Sequence, residues 1–334
     1  MGKVKLAVFR GLYLGDLIAA TGALRALRRG YPEAEIALVS LNWATALTPH
    51  LEHLVDYLLP YPGAPGLDGW GGGTGDEERL ERFLARIRRG RFDFAVNMHG
   101  RGSASTRLVA SFGAYKTAGF SNEDAPSLDF EVPWDAEIHE SRKLLLLAQK
   151  VGGVPADGAR PELRVREEDR RRARALLPSR GSSLAIVHPG ASVPEKRWPA
   201  VGFGRVAEGL LRRGYDVVIT GSPKEKRLTR RVAGLAPGAL DYGGRTRLST
   251  LIALMARADV LVSNDTGPVH LAYALKTPSV TLFGPSTEVG RWGPLDRERH
   301  AVLLGDPISE VSVRDVVDRI EGLAVGSKEE RLRA

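Results

Sequence analysis

Three short segments of this sequence join glycine to a carboxylate or a cation where a strand-like pattern gives way to a helical one. Each could hold a charged ligand. The first is Arg10-Gly-Leu-Tyr-Leu-Gly-Asp16. Gly11 and Gly15 let a ligand approach the backbone, and Asp16 stands where the chain enters a helix. Two roles fit Asp16: an ordinary helix N-cap worth about 1 kcal/mol, or a general base that takes a proton from a hydroxyl. The helix dipole would hold the carboxylate ionised, as a general base requires, and both roles can coexist. The spacing is neither GxGxxG nor a Walker A motif, which sets aside the common dinucleotide and P-loop readings.

The second segment is His188-Pro-Gly-Ala-Ser192, continuing through Glu195-Lys-Arg-Trp-Pro199. Pro199 suits a first helical position, so the Ser192 hydroxyl and the Lys196 and Arg197 cations precede a helix start, an anion-binding composition. A solvated surface fits Lys196 and Arg197 equally, and Trp198 reads as a core plug. The third segment is Ser263-Asn-Asp-Thr-Gly-Pro-Val-His270. Here Gly267 is the expected cap and Pro268 the first helical residue, with free amides of the turn available to a diphosphate. Asp265 fits a turn-stabilising carboxylate as well as a site, and His270 fits a satisfied histidine on the inner helix face.

The elements that must position these segments alternate. Val4–Phe9, Glu35–Ser40 and Phe92–Met98 read as strands, and Asp16–Arg29 and His139–Val151 as helices. Pro60–Gly75, crowded with proline and glycine, reads as a long loop on the ligand face. Gly152–Pro161 is polar and turn-rich, and beyond it the pattern restarts with strands at Ser183–His188, Asp216–Thr220, Val260–Ser263 and Ser279–Phe283. Helices are expected between them at Pro199–Arg213, Lys224–Leu235, Ser249–Ala258 and Pro268–Leu275, and near Val313–Leu323 at the end. The expected fold class is α/β with parallel sheets in two domains, 1–152 and 153–325, followed by a charged tail at 326–334. In such sheets ligands bind beyond the carboxyl ends of strands, where all three segments lie.

Composition narrows the function classes. A chain of 334 residues exceeds the usual size of one core, which agrees with two domains. Cysteine is absent, so disulfides and Cys-ligated zinc or iron–sulfur centres are excluded. No Asp-x-Asp pair occurs, and neither a divalent metal nor a cofactor is expected. The net charge of +8 fits phosphorylated substrates, an anionic membrane surface or a nucleic acid. An aromatic-studded basic patch and a helix-turn-helix signature are both missing, so no nucleic-acid partner is expected. No apolar run approaches the roughly 20 residues of a membrane span, so any contact with an anionic membrane is expected to be peripheral.

The opening Arg10–Ile18, followed by Ala23-Leu-Arg-Ala-Leu-Arg-Arg-Gly-Tyr-Pro-Glu-Ala34, resembles the N-terminal signature of bacterial heptosyltransferases, glycosyltransferase family 9. So do His188–Ser192 with Glu195–Pro199, Gly214–Gly221, and most specifically Ser263–Ala272 with Phe283–Ser286. The resemblance runs from about Lys3 to Gly322. It implies a GT-B fold, two Rossmann-like domains with the active site in the cleft between them, and metal-independent, inverting transfer of a sugar, heptose or related. The donor would be a nucleotide diphosphate sugar, ADP-linked donors included, and the acceptor a lipopolysaccharide-like glycolipid or surface polysaccharide. Carried over residue by residue, Asp16 is the base and Lys196 the second catalytic group. Ser192, Glu225, Asp265, Thr266, Gly267 and His270 line the donor site, with Glu225 on the ribose hydroxyls. Gly15 and His99 lie on the acceptor side. A cytoplasmic enzyme at the inner face of the membrane is expected. The alternatives are a GT-B-shaped sugar-nucleotide epimerase or phosphorylase and, from another class, a basic nucleic-acid-binding protein.

Overall fold

The computed structural model describes residues 2–64, 66–67, 76–177 and 183–323. The tail expected at 326–334 and the greater part of the loop expected at 60–75 lie outside them. The chain divides into two compact units, Met1–Glu162 and Leu163–Ala334.

In the first unit the strands are β1 (Lys5–Phe9), β2 (Glu35–Leu41), β3 (Tyr57–Tyr61), β4 (Phe94–Asn97), β5 (Lys116–Phe120) and β6 (Phe130–Val132). Its helices are α1 (Leu14–Ala19), α2 (Thr21–Gly30), α3 (Glu77–Arg89), α4 (Ser103–Ala110) and α5 (Glu140–Lys150). The second unit follows with α6 (Glu167–Leu176), β7 (Leu184–His188), α7 (Ala200–Arg212), β8 (Asp216–Ile219), α8 (Lys226–Gly234) and β9 (Leu240–Asp241). It ends with α9 (Leu248–Arg257), β10 (Val260–Asn264), α10 (Gly267–Leu275), β11 (Ser279–Phe283), α11 (Val289–Trp292), β12 (His300–Leu304) and α12 (Val313–Gly322).

The sheets run β3-β2-β1-β4-β5-β6 and β12-β11-β10-β7-β8-β9, with parallel pairing throughout. Counted from its own first strand, each sheet has the same Rossmann order, and that order reverses between β1 and β4 and between β7 and β10. The central strands β7, β10 and β11 are wholly buried, as continuous apolar runs covered on both faces must be.

Two expectations change. The single helix Asp16–Arg29 is broken at Ala20 into α1 and α2. The Thr21 hydroxyl donates to the Ile18 carbonyl at 2.7 Å and accepts from the Glu162 amide at 2.9 Å, which tightens the junction. The stretch 152–161 is fastened to the first unit: the Val154 amide donates to the Ala26 carbonyl at 2.8 Å. Arg25 donates to the carbonyls of Ala156, Gly158 and Arg160 and pairs with Glu162 at 2.8 Å. The division between units therefore falls after Glu162, ten residues past the boundary expected after 152.

Candidate functional site

In the first unit, loops leave the carboxyl ends of β1 and β4 side by side at the point of order reversal. Asp16 is the third residue of α1, and Tyr13 holds the N-cap position without a side-chain cap bond. The N-cap role considered for Asp16 is thereby removed. Its carboxylate is 17% exposed and faces Arg10, with Oδ1 3.6 Å from Nη2. Arg10 ends the apolar run of β1 and is wholly buried. Its Nε donates to the Asp16 carbonyl at 2.7 Å, its Nη1 to the Met98 carbonyl, and its Nη2 to Glu140 Oε1 at 3.2 Å. Glu140, the first residue of α5, also pairs with Lys143 at 3.4 Å, and the Lys143 ammonium lies 4.0 Å from the Trp134 ring centre.

Gly15 is buried within α1 beside Asp16. The His99 ring stacks on Phe9, 4.9 Å between centres and 6° from parallel. Burial, and then the positive charge of Arg10, push its pKa down to about 4, so the imidazole is neutral at neutral pH. Gly15, Asp16 and His99 thus gather around Arg10, a residue that sequence reasoning did not assign. The signal was present: an arginine directly after Lys5–Phe9 enters a buried run and needs partners there.

In the second unit, Lys196 Nζ donates to Asp265 Oδ2 at 2.7 Å, and the Thr287 hydroxyl donates to the same oxygen at 3.2 Å. Lys196 is 26% exposed at its side chain and Asp265 8%, so the cation faces the outside of a largely buried pair. Asn264, also unassigned from sequence, ties the two loops together. Its Nδ2 donates to the carbonyls of Pro189 and Gly190, and its Oδ1 accepts from the Trp198 amide at 3.0 Å. Trp198 is the expected core plug, with its indole donating to the Val311 carbonyl at 2.9 Å. Arg197 folds back on its own loop, donating twice to the Ala191 carbonyl, and so braces Ser192 and Lys196. Ser192 is exposed in that loop.

Helix starts differ from expectation by a residue. Thr266, not Gly267, is the N-cap of α10, with Gly267 and Pro268 in its first turn, and Pro199 caps α7. Pro268 has no amide proton and the Val269 amide bonds the Thr266 carbonyl at 3.0 Å, which leaves the Thr266 and Gly267 amides for an anion. One turn on, the His270 ring meets Tyr273 and Trp292 edge-on, 5.5 Å and 6.3 Å between centres. Glu225 closes the other side. Its Oε2 accepts from the Ser222 amide at 2.7 Å in a capping box. The carboxylate lies over Gly190, where an added Cβ would stand 2.1 Å from Oε1, so a side chain there would push the carboxylate from its place. Beneath it, buried His188 bonds Thr220 at 3.0 Å through Nδ1, and burial keeps its imidazole neutral despite the Glu225 charge. Among the described residues there is no group of three His, Asp or Glu able to hold a metal ion.

The profile of glycosyltransferase family 9 (heptosyltransferase) matches residues 80–317. Lipopolysaccharide heptosyltransferase 2 of Escherichia coli K12 is 27% identical over 307 residues, 85% of this chain and 84% of that one. Lipooligosaccharide heptosyltransferase 2 of Haemophilus ducreyi is 23% identical over 325 residues, 91% and 89% of the two chains. Among solved structures, E. coli ADP-heptose lps heptosyltransferase II superposes with a TM-score of 0.80 at 22% identity over 96% of this chain and 98% of that chain. A family 9 glycosyl transferase from Veillonella parvula gives 0.83 at 22% over 99% and 98%. These likenesses bear out the GT-B fold class. With a family profile matched across both units, the chain belongs to glycosyltransferase family 9, the heptosyltransferase family, and is a glycosyltransferase.

Proposed function

We propose that this chain transfers a heptose from an ADP-linked donor to a lipopolysaccharide-type glycolipid, with inversion at the anomeric carbon and no resident metal or cofactor. The observation that carries the reading is the Lys196–Asp265 pair at the head of α10, a partly exposed cation held beside free helix amides. Such a group suits a diphosphate whose charge grows as the glycosidic bond breaks. Lys196 and the Thr266 and Gly267 amides hold the diphosphate, with Ser192 and His270 beside it and Asp265 orienting the lysine. Glu225, fixed over Gly190, accepts from the ribose hydroxyls.

On the first unit, Asp16 takes the proton of the acceptor hydroxyl as its oxygen attacks the anomeric carbon. The new C–O bond forms as the bond to the diphosphate breaks, and ADP leaves with the bonding pair. Gly15 gives the acceptor room, and neutral His99 hydrogen-bonds it. Family membership sets aside the epimerase and phosphorylase alternatives, which share only the fold.

Among the described residues no helix is long and apolar enough to cross a membrane. The acceptor would be met at the cytoplasmic face of the membrane through peripheral contact of the basic surface with anionic lipid, and no nucleic acid takes part. The test is incubation with ADP-heptose and heptose-free lipopolysaccharide, read by mass spectrometry of the glycolipid and by ADP release. A mass increase of one heptose is expected. Product from a UDP- or GDP-linked sugar, with none from ADP-heptose, would overturn the donor assignment.

A further inference from the structure

Asp16 does not face Arg10 alone. The same guanidinium nitrogen, Nη2, stands 3.2 Å from Glu140 Oε1 and 3.6 Å from Asp16 Oδ1. The nearer carboxylate makes the hydrogen bond, and the farther one is held by charge at a distance too long for a strong bond. The guanidinium cannot turn to favour Asp16. Its Nε is bonded to the Asp16 carbonyl and its Nη1 to the Met98 carbonyl, and these contacts fix the plane. Glu140 is itself placed by Lys143, which lies over the Trp134 ring.

Side-chain exposure separates the four charged groups. Arg10, Lys143 and Glu140 are 0%, 2% and 4% exposed, whereas Asp16 is 17% exposed. Of the two carboxylates, Asp16 is the more exposed. A buried arginine with a single acid partner would draw that acid into a close pair and occupy its lone pairs. The second acid prevents this.

We propose that Glu140 is a positioning residue for transfer: by occupying Arg10 Nη2 it keeps the Asp16 carboxylate unengaged, with an oxygen free for the acceptor hydroxyl. This rests on the reading of Asp16 as the base. Without the Glu140 charge, the Asp16 carboxylate is drawn onto the fixed Nη2 and away from the acceptor hydroxyl. Misplacement of a reacting group by about an ångström costs on the order of a hundredfold.

Because Glu140 acts only through Asp16, the experiment is a double-substitution cycle. Wild type, Glu140→Gln, Asp16→Asn and the double variant are assayed with ADP-heptose and heptose-free lipopolysaccharide. Folding of the first unit, which holds both substitutions, is checked by circular dichroism and thermal melting, and donor-site concentration by calorimetric ADP titration. Glu140→Gln is expected to lower kcat about ten- to a hundredfold, with the donor KM unchanged. In the Asp16→Asn background the same substitution should cost nothing further. Glu140→Asp, which keeps the charge and serves if the glutamine variant does not fold, should give a smaller loss that also vanishes in that background.

Wild-type kcat in folded Glu140→Gln would overturn the proposal. So would losses that multiply in the double variant, as expected of a cluster that merely supports the fold. Full activity of Asp16→Asn is a different result, which removes the base and this inference with it. An Asp16→Asn variant slowed at least about a hundredfold but still measurable, with losses that multiply in the double variant, removes this inference alone.

Discussion

Replacing Asp16 by Asn removes one negative charge and the basic oxygen while keeping side-chain size. The structure sets the stability cost. Asp16 is not a cap, its backbone carbonyl keeps the 2.7 Å bond from Arg10 Nε, and Arg10 retains Glu140 at 3.2 Å. What is lost is one partly exposed charge contact at 3.6 Å, worth about 1 kcal/mol. For a unit of 162 residues that lowers the melting temperature by roughly 2–4 °C and leaves nearly every molecule folded at 25 °C. Catalysis should respond on another scale. A positioned general base contributes about a hundred- to ten-thousandfold, or about 3–5 kcal/mol of barrier. The assay is heptose transfer from ADP-heptose, alongside thermal melting and calorimetric ADP binding. Near-normal melting and ADP affinity with at least a hundredfold slower transfer is expected. An Asn variant that transfers at the wild-type rate would refute the assignment of the base.

Lys196→Ala should lower kcat/KM by about ten- to a hundredfold, because a charge-assisted contact to the leaving diphosphate is lost; wild-type values for both kcat and donor KM would make Lys196 a surface lysine. Transfer should survive EDTA, since the lysine and the α10 amides bear the diphosphate charge; loss of turnover in chelator, restored by magnesium or manganese, would overturn metal independence. His99 gives a pH signature. Its folded value of about 4 lies below the roughly 6.5 of an unfolded histidine, so the unfolded chain takes the proton first. Stability should therefore fall as pH drops from about 6.5 to about 4, by up to about 3 kcal/mol from this group. His99→Phe, which can keep the stack on Phe9, should melt less steeply with falling pH than wild type; equal slopes would contradict the neutral buried imidazole.

Local patterns in the sequence determined a good deal. Continuous apolar runs such as Leu184–Val187 specify parallel strands covered on both faces, and the glycines, prolines and short polar residues after them mark the loops at the carboxyl ends. Those loops and the helix starts after them carry Asp16, Ser192, Lys196 and the Asp265–His270 segment, so the candidate residues were legible from type and position. Element ends were less so. Whether Asp16 caps α1 or sits within its first turn depends on backbone angles at Tyr13, and whether 152–161 links or fastens depends on the carbonyls that Arg25 reaches. Partnerships were decided by tertiary structure alone. Lys196 and Asp265 are 69 residues apart, and Arg10 and Glu140 are 130 apart. Strand order brings β7 beside β10 and β1 beside β4, and packing lays the start of α5 against Arg10. Helical and strand periodicity act over a few residues, whereas a buried charge takes whichever opposite charge the assembled layers bring within reach.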